Sequence, residues 1–174
     1  MTCGDIFGNR RLAVSRIDNP ADYYDQSPDP LNEIGASAFS QEVSGFGAQV
    51  AERFHDADFC QIFSIDEVPV GFGLYKKLST QAGLLLSIEG RAISHEFQGK
   101  GLGSTALREL LLSEPEAIAA ASCTRNPAIP RLMSRYFTTV SPDIKDTNPL
   151  HFYNDNEIIR YLTAVYGEHV NASP

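Results

Sequence analysis

Residues 84–112 read LLLSIEGRAISHEFQGKGLGSTALRELLL. Leu84–Ser94 is an apolar, partly alternating run of the kind that forms a strand. It breaks into Gln98-Gly99-Lys100-Gly101-Leu102-Gly103, after which Ser104–Leu112 carries leucines at helical spacing. A strand, a glycine-rich turn and a helix start aim several backbone N–H groups at one point, because the first turn of a helix has no internal acceptors for them. The positive end of the helix dipole adds to those donors, and together they form a receptor for a pyrophosphate. Glycines at 99, 101 and 103 keep side chains out of the way of an approaching phosphate. The alternative is a glycine-rich turn with no ligand, but glycine costs a helix start stability unless something requires it.

Other phosphate-binding patterns fit less well. In a P-loop the lysine precedes Ser or Thr, whereas Lys100 precedes Gly101, and the four-residue spacer between glycines is absent. GxGxxG is not matched either, and the next predicted strand, Ala117–Ser122, ends without the acidic residue that would hold a ribose. The sequence does match Gln/Arg-x-x-Gly-x-Gly/Ala, as Gln98-Gly99-Lys100-Gly101-Leu102-Gly103. An apolar strand end, Ala92-Ile93-Ser94, precedes it, and an amphipathic helix follows. Further on, the Ala117 strand leads to Asn126-Pro127, an N-cap followed by proline at the first helical position.

In these elements and their order the chain resembles the GNAT superfamily of acetyl-CoA-dependent N-acetyltransferases, with the match running over about residues 60–137. The resemblance implies an α/β (α+β) fold, a mostly antiparallel mixed sheet with helices on both faces, in a single domain spanning residues 1–174. It also implies acetyl-CoA as co-substrate, a primary amine of a small molecule or protein as acceptor, and no metal. Coenzyme A would be held by main-chain N–H groups of Gly99, Gly101, Gly103 and Ser104, with Gln98, Lys100 and Leu102 completing the turn. Ala92, Ile93 and Ser94 would line its pantetheine arm, and Ile93 N–H would polarise the thioester carbonyl. Asn126 and Met133 fall at family positions beside the cofactor.

Catalysis also needs a neutral amine and a proton for the leaving thiolate. Many relatives carry a Glu on the strand before the loop, and Glu89 stands there with the parity of Ile93, so both point to one face if no bulge intervenes. A solvent-facing charge beside Gly90 is the plainer alternative, and His95 is a second candidate base. Relatives often place a Tyr seven residues after the helix-opening Asn; here that position is Met133, and Tyr136, about one turn further, is the candidate substitute donor. These departures keep open a non-catalytic acyl-CoA-binding sensor or partner module of the same fold.

Elsewhere, Arg11–Ile17 reads as a first strand and Asp18–Pro30 as a loop dense in Asp, Pro, Asn and Ser. Leu31–Phe39 and Ala48–Phe54 read as two short helices, interrupted at Ser44-Gly45-Phe46-Gly47. Phe59–Ile65 and Val68–Leu78 read as strands joined by a tight turn at Asp66-Glu67, and a helix is expected from about Pro127 to Phe137. The family closes with two further strands. Here Phe137–Val140 supplies at most one, and residues 141–174 form a variable segment with a short helix over 157–165. Completion by a partner chain, as in a homodimer, is one solution.

Composition sets outer bounds. The chain has 174 residues, 43% hydrophobic and 21% charged, ordinary for a globular domain with a full core. A formal net charge of −8 disfavours nucleic acid. It leaves open a cationic amine, at which the group Asp22, Asp25, Asp29 and Glu33 also hints, although such a cluster is more often just a solvated loop. No apolar run is long enough to cross a bilayer, and Met1-Thr2-Cys3-Gly4-Asp5, with no basic segment and no long apolar stretch after it, gives no expectation of a secretory signal. Cys3, Cys60 and Cys123 are few and scattered, and the four histidines lack ligand spacing, so the expectation is a cytoplasmic protein without disulfides or zinc.

Overall fold

The computed structural model describes residues 5–7, 10–123, 128–137, 140, 161 and 164–168. Strands β1 (Asp5–Phe7), β2 (Arg10–Ile17), β3 (Phe59–Ile65), β4 (Val68–Thr80), β5 (Gly83–Ile93) and β6 (Ala117–Ser122) are hydrogen-bonded in chain order. β1 through β4 pair antiparallel, with Leu12 opposite Ile65 and Phe63 opposite Gly71. Helices are α1 (Pro20–Gln26), α2 (Pro28–Phe39), α3 (Val43–Asp56), α4 (Leu102–Ser113) and α5 (Ala128–Met133). Two compact units result, one of residues 1–77 and 88–115, the other of residues 78–87 and 116–174.

In the first unit, adjacent residues of β3 feed two cores, because successive side chains of a strand leave on opposite faces. Ile62 joins Phe72, Leu74 and Ala92 in a core closed by Tyr24 of α1, Leu31 and Ile34 of α2, and Val50 and Phe54 of α3. Phe63 joins Leu12, Ile65 and Val70 in a second core closed by Leu102 and Ala106 of α4. Helices thus cover both faces, as expected. Val70 and Phe72 have the same parity yet serve different cores. The pairing explains it: Phe63 faces Gly71 and Ser64 faces Pro69, so Val70 is the extra residue of a β-bulge. The β3–β4 turn falls at Asp66 and Glu67 as predicted, both at positive φ (50° and 70°). Asp66 offsets that conformation by exchanging hydrogen bonds with Arg11: its N–H donates to Arg11 O, and its Oδ1 accepts the Arg11 N–H, each at 3.0 Å.

Three readings of the N-terminal half are corrected. Residues 18–30 are not a loop, since α1 and the start of α2 occupy them. Asn19 caps α1 by accepting the Asp22 N–H at 3.3 Å, and Pro20 and Pro28 sit in the first turns of their helices, where a missing N–H leaves no gap. The break between α2 and α3 lies at residues 40–42 rather than 44–47, with Ser40 in the left-handed region (φ 53°). Gly35 and Gly47 permit close packing of α2 on α3: a Cβ on Gly35 would lie 2.8 Å from Val50 Cγ2, and one on Gly47 3.3 Å from the Asn32 amide. β1 is an additional strand that the sequence did not announce.

The second unit holds the β4–β5 hairpin turn, β6 and α5. Thr80 Oγ1 donates to Gly83 O (2.7 Å) and accepts the Ala82 N–H (3.2 Å), while the Tyr161 hydroxyl accepts the Gln81 N–H at 3.2 Å. Here α5 stops at Met133, short of the predicted Phe137, because its end tightens into a turn in which the Arg135 and Tyr136 N–H groups bond three residues back. Asn126 and the predicted loop 141–149 lie outside the described residues, as does most of the expected helix over 157–165, of which residues 161, 164 and 165 are helical. Phe137 and Val140 are not in a strand, and residues 138–139 lie outside the described set.

Candidate active site

The loop predicted from residues 98–103 is held from three directions, all within the first unit. β5 ends where the Ser94 N–H donates to Val70 O on β4 (2.9 Å). A 3-10 turn, His95–Phe97, follows, anchored to α2 by the His95 N–H donating to Ser37 Oγ (3.1 Å). Gln98 then braces the turn. Its Nε2 donates back to Ile93 O (2.9 Å) and across to Ala38 O at the end of α2 (3.1 Å). Sequence reading placed Gln98 at the loop without its partners, and Ser37 and Ala38 escaped notice because they lie about sixty residues upstream.

Gly99 and Gly101 have φ of +73° and +90°, and Gly101 is the N-cap of α4. A Cβ at either would meet nothing within 4 Å, so internal packing does not require glycine there. Backbone conformation does, and it leaves an open approach to the main chain. Leu102, 2% exposed, roots the helix start in the α4-side core. Leu102 and Gly103 occupy the first two positions of α4, whose N–H groups have no acceptor inside a helix. The N–H groups of Ser104 and Thr105 both close on Gly101 O, at 2.9 and 3.1 Å, so the Ser104 N–H, expected to face a diphosphate, is engaged within the turn and the Leu102 N–H takes its place among the open donors. Lys100 is exposed, its ammonium 5.5 Å from the Phe97 ring centre.

Along β5 the two edges differ. Since Ser94 turns its N–H toward β4, alternation turns that of Ile93 to the opposite edge. Ile93 packs its side chain on the α4-side core, whereas Ala92, 1% exposed, faces the α2–α3 core. Glu89 is half-buried, and its backbone carbonyl accepts a hydrogen bond from Arg53 Nη1 of α3. Gly71 of β4 passes so near that a Cβ there would lie 2.8 Å from Ala92 O. Arg91, between Glu89 and Ile93, reaches the carbonyl of Gly103 with Nη1 (3.3 Å) and the Tyr75 hydroxyl with Nη2 (3.4 Å). Neither Arg53 nor Arg91 was singled out from sequence, although an arginine inside an otherwise apolar strand was a signal for the latter.

Glu89, Ala92, Ile93, Ser94 and residues 98–104 thus form one continuous strand–turn–helix surface. Met133, 8% exposed, ends α5 in the second unit, and Tyr136 lies in the turn after it rather than on a continuing helix. Among the described residues no three His, Cys, Asp or Glu side chains gather to hold a metal ion, and no helix is long and apolar enough to cross a membrane.

Comparison with known proteins gives this architecture its class. The model of the acetyltransferase (GNAT) family matches residues 21–126, more than half of the chain. The chain belongs to the GNAT acetyltransferase family. No curated protein sequence matches it significantly. Among solved structures, an aminoglycoside acetyltransferase from an uncultured soil metagenomic sample is similar at 16% identity and TM-score 0.56, covering 75% of this chain and 93% of that one. The ribosomal-protein-alanine N-acetyltransferase of Brucella melitensis biovar Abortus 2308 is similar at 14% identity and TM-score 0.55, covering 75% and 94%. A GNAT family acetyltransferase of Staphylococcus aureus is similar at 14% identity and TM-score 0.52, again covering 75% and 94%. At such identities these likenesses speak for the fold, which is that of the family.

Proposed function

We propose that the protein transfers the acetyl group of acetyl-CoA to a primary amine of a small molecule or protein. The observation that carries this reading is the loop at Gly99–Gly103. In a GNAT family chain, two glycines at positive φ with open space around them lead into the N-terminus of α4. That cradle fits a diphosphate, which a Cβ would obstruct.

Acetyl-CoA supplies the activated acetyl group as a thioester. The chain binds and orients: the N–H groups of Gly99, Gly101, Leu102 and Gly103 hold the diphosphate, and the Ile93 N–H, on the edge of β5 away from β4, donates to the thioester carbonyl. Glu89 takes a proton from the ammonium of the acceptor, and Tyr136 is the candidate donor to the departing sulfur. The acetyltransferases similar in fold include ones named for aminoglycosides and for a ribosomal-protein alanine, acceptors that are amines.

Release of free thiol from acetyl-CoA, measured against a panel of primary amines, tests the reading. Amine-dependent release is expected. Coenzyme A binding without release for any amine would favour the binding-module alternative, which Met133 at the place of the family Tyr keeps in view. No coenzyme A binding at all would remove both.

A further inference from the structure

The polar seam beneath the first turn of α4 has a feature that the diphosphate loop alone does not explain. Arg91 donates to Gly103 O and to the Tyr75 hydroxyl, and the Gln61 amide, oriented with Nε2 toward Ala106 O, also donates to the Tyr75 hydroxyl at 2.7 Å. Space for this arrangement exists because residue 73 is glycine: a Cβ there would lie 2.3 Å from the Tyr75 hydroxyl. The guanidinium is therefore built in. Yet no carboxylate pairs with it among the described residues, and its Nε is buried without a hydrogen-bond partner. Arg91 also sits beside the N-terminal turn of a helix, where the dipole already favours negative charge, so a cation is unfavourable there unless an anion is close. A partly desolvated positive charge with no counter-charge among the described residues, next to a loop shaped for an anion, is placed to face a bound anion.

We propose that Arg91 is the fixed positive charge against which an anionic diphosphate is held at the start of α4. It acts through space and through the Gly103 carbonyl rather than by touching the diphosphate, and so is a positioning residue. The inference rests on the coenzyme A reading above. It goes beyond it in giving the site a second positive charge, fixed beneath the loop that carries the exposed Lys100 and supplied from the strand two residues before Ile93 and two after Glu89.

The test is calorimetric titration of coenzyme A into wild type, Arg91→Gln and Arg91→Lys over a range of sodium chloride concentrations, with folding checked by circular dichroism. Arg91→Gln keeps a polar side chain without the charge; Arg91→Lys keeps the charge with fewer hydrogen bonds. We expect Arg91→Gln to weaken binding about tenfold and to flatten its salt dependence, since screening acts on the charge that was lost. Arg91→Lys should keep the wild-type salt slope. A structural role would lower affinity in both variants without changing the slope. That result, or wild-type binding by Arg91→Gln, overturns the proposal. If Arg91→Gln does not fold, Arg91→Met, which also removes the charge but keeps the bulk of the side chain, takes its place: a flattened slope supports the proposal and an unchanged slope refutes it. Failure of wild type to bind coenzyme A would instead sink the underlying reading and this inference with it.

Discussion

Substituting Gly71 by alanine should disturb the site from behind, and the structure gives the size of the effect. The added Cβ would lie 2.7 Å from Phe63 Cδ2, 2.8 Å from Ala92 O and 3.2 Å from Ile93 Cγ1. Two of these are well inside ordinary contact, and one is a backbone atom that cannot swing aside. Phe63 is 1% exposed and has nowhere to go. The overlap is relieved only by moving the end of β5, which carries Ile93, away from β4. Overpacking of this kind costs about 1–3 kcal/mol. At roughly 2–4 °C per kcal/mol for a chain of this length, Tm should fall by about 2–12 °C. Coenzyme A should bind more weakly, because the Ile93 N–H and the loop braced to Ile93 O by Gln98 move together. Gly45→Ala is the control of opposite sign. Gly45 lies in the first turn of α3, where a Cβ meets nothing within 4 Å. Gly45→Ala should therefore stabilise by about 0.5–1 kcal/mol with unchanged affinity. Thermal unfolding followed by circular dichroism, with calorimetric titration of coenzyme A, reads both. An unchanged Tm and affinity for Gly71→Ala would refute the close β4–β5 approach and the coupling drawn from it.

Other consequences are as direct. Glu89→Gln should reduce turnover most at low pH, where the acceptor is an ammonium ion, and little at high pH, where it is already neutral; a uniform loss across a pH–rate profile would count against Glu89 as base. Burial, with Asp18 nearby, pushes the Cys60 thiol up to about 12, so it should resist alkylation at pH 8 until the protein unfolds, while exposed Cys123 reacts. Mass mapping of carbamidomethyl groups checks this, and native labelling of Cys60 would contradict it. Glu114, just past α4, is 7% exposed and pairs with Lys77 Nζ at 2.8 Å and with Arg16. Burial alone would push its carboxyl up, but Lys77 and Arg16 outweigh that and hold it below the ordinary range. Its stabilisation is therefore present above the unfolded carboxylate pKa of about 4.3 and lost as pH falls through the lower folded value. Glu114→Gln should lower stability by about 1–2 kcal/mol at pH 7, discounted because both cations are about a third exposed. The gap to wild type should close on acidification in urea titrations, and a gap that persists at pH 3 would contradict the pairing.

What was legible in the sequence was local. The β5–loop–α4 surface announced itself because alternation, three glycines and leucine spacing lie within one continuous stretch, and the Asp66–Glu67 turn because two apolar runs flank it. Features that depend on distant partners stayed hidden. Asn19-Pro20 and Ser27-Pro28 read as chain breakers until their places at helix starts were known. Gly45 and Gly47 read as a break, although the helix runs through both and Gly47 faces Asn32 of α2. The extra residue at Val70 appears only in its pairing with β3. Arg91 was not singled out, because Tyr75 and Gly103, which make it part of a seam, are 16 and 12 residues away.

The central claim is that the glycine turn before α4 holds coenzyme A, and titration of coenzyme A into wild type and Gly101→Glu tests it most directly. Gly101 has φ +90°, so a side chain there costs about 1–2 kcal/mol of backbone strain. Nothing lies within 4 Å of the new Cβ, so the variant should still fold. Its carboxylate would stand where the diphosphate must approach. The account predicts saturable binding by wild type and none by a folded Gly101→Glu; equal affinities for the two would contradict it.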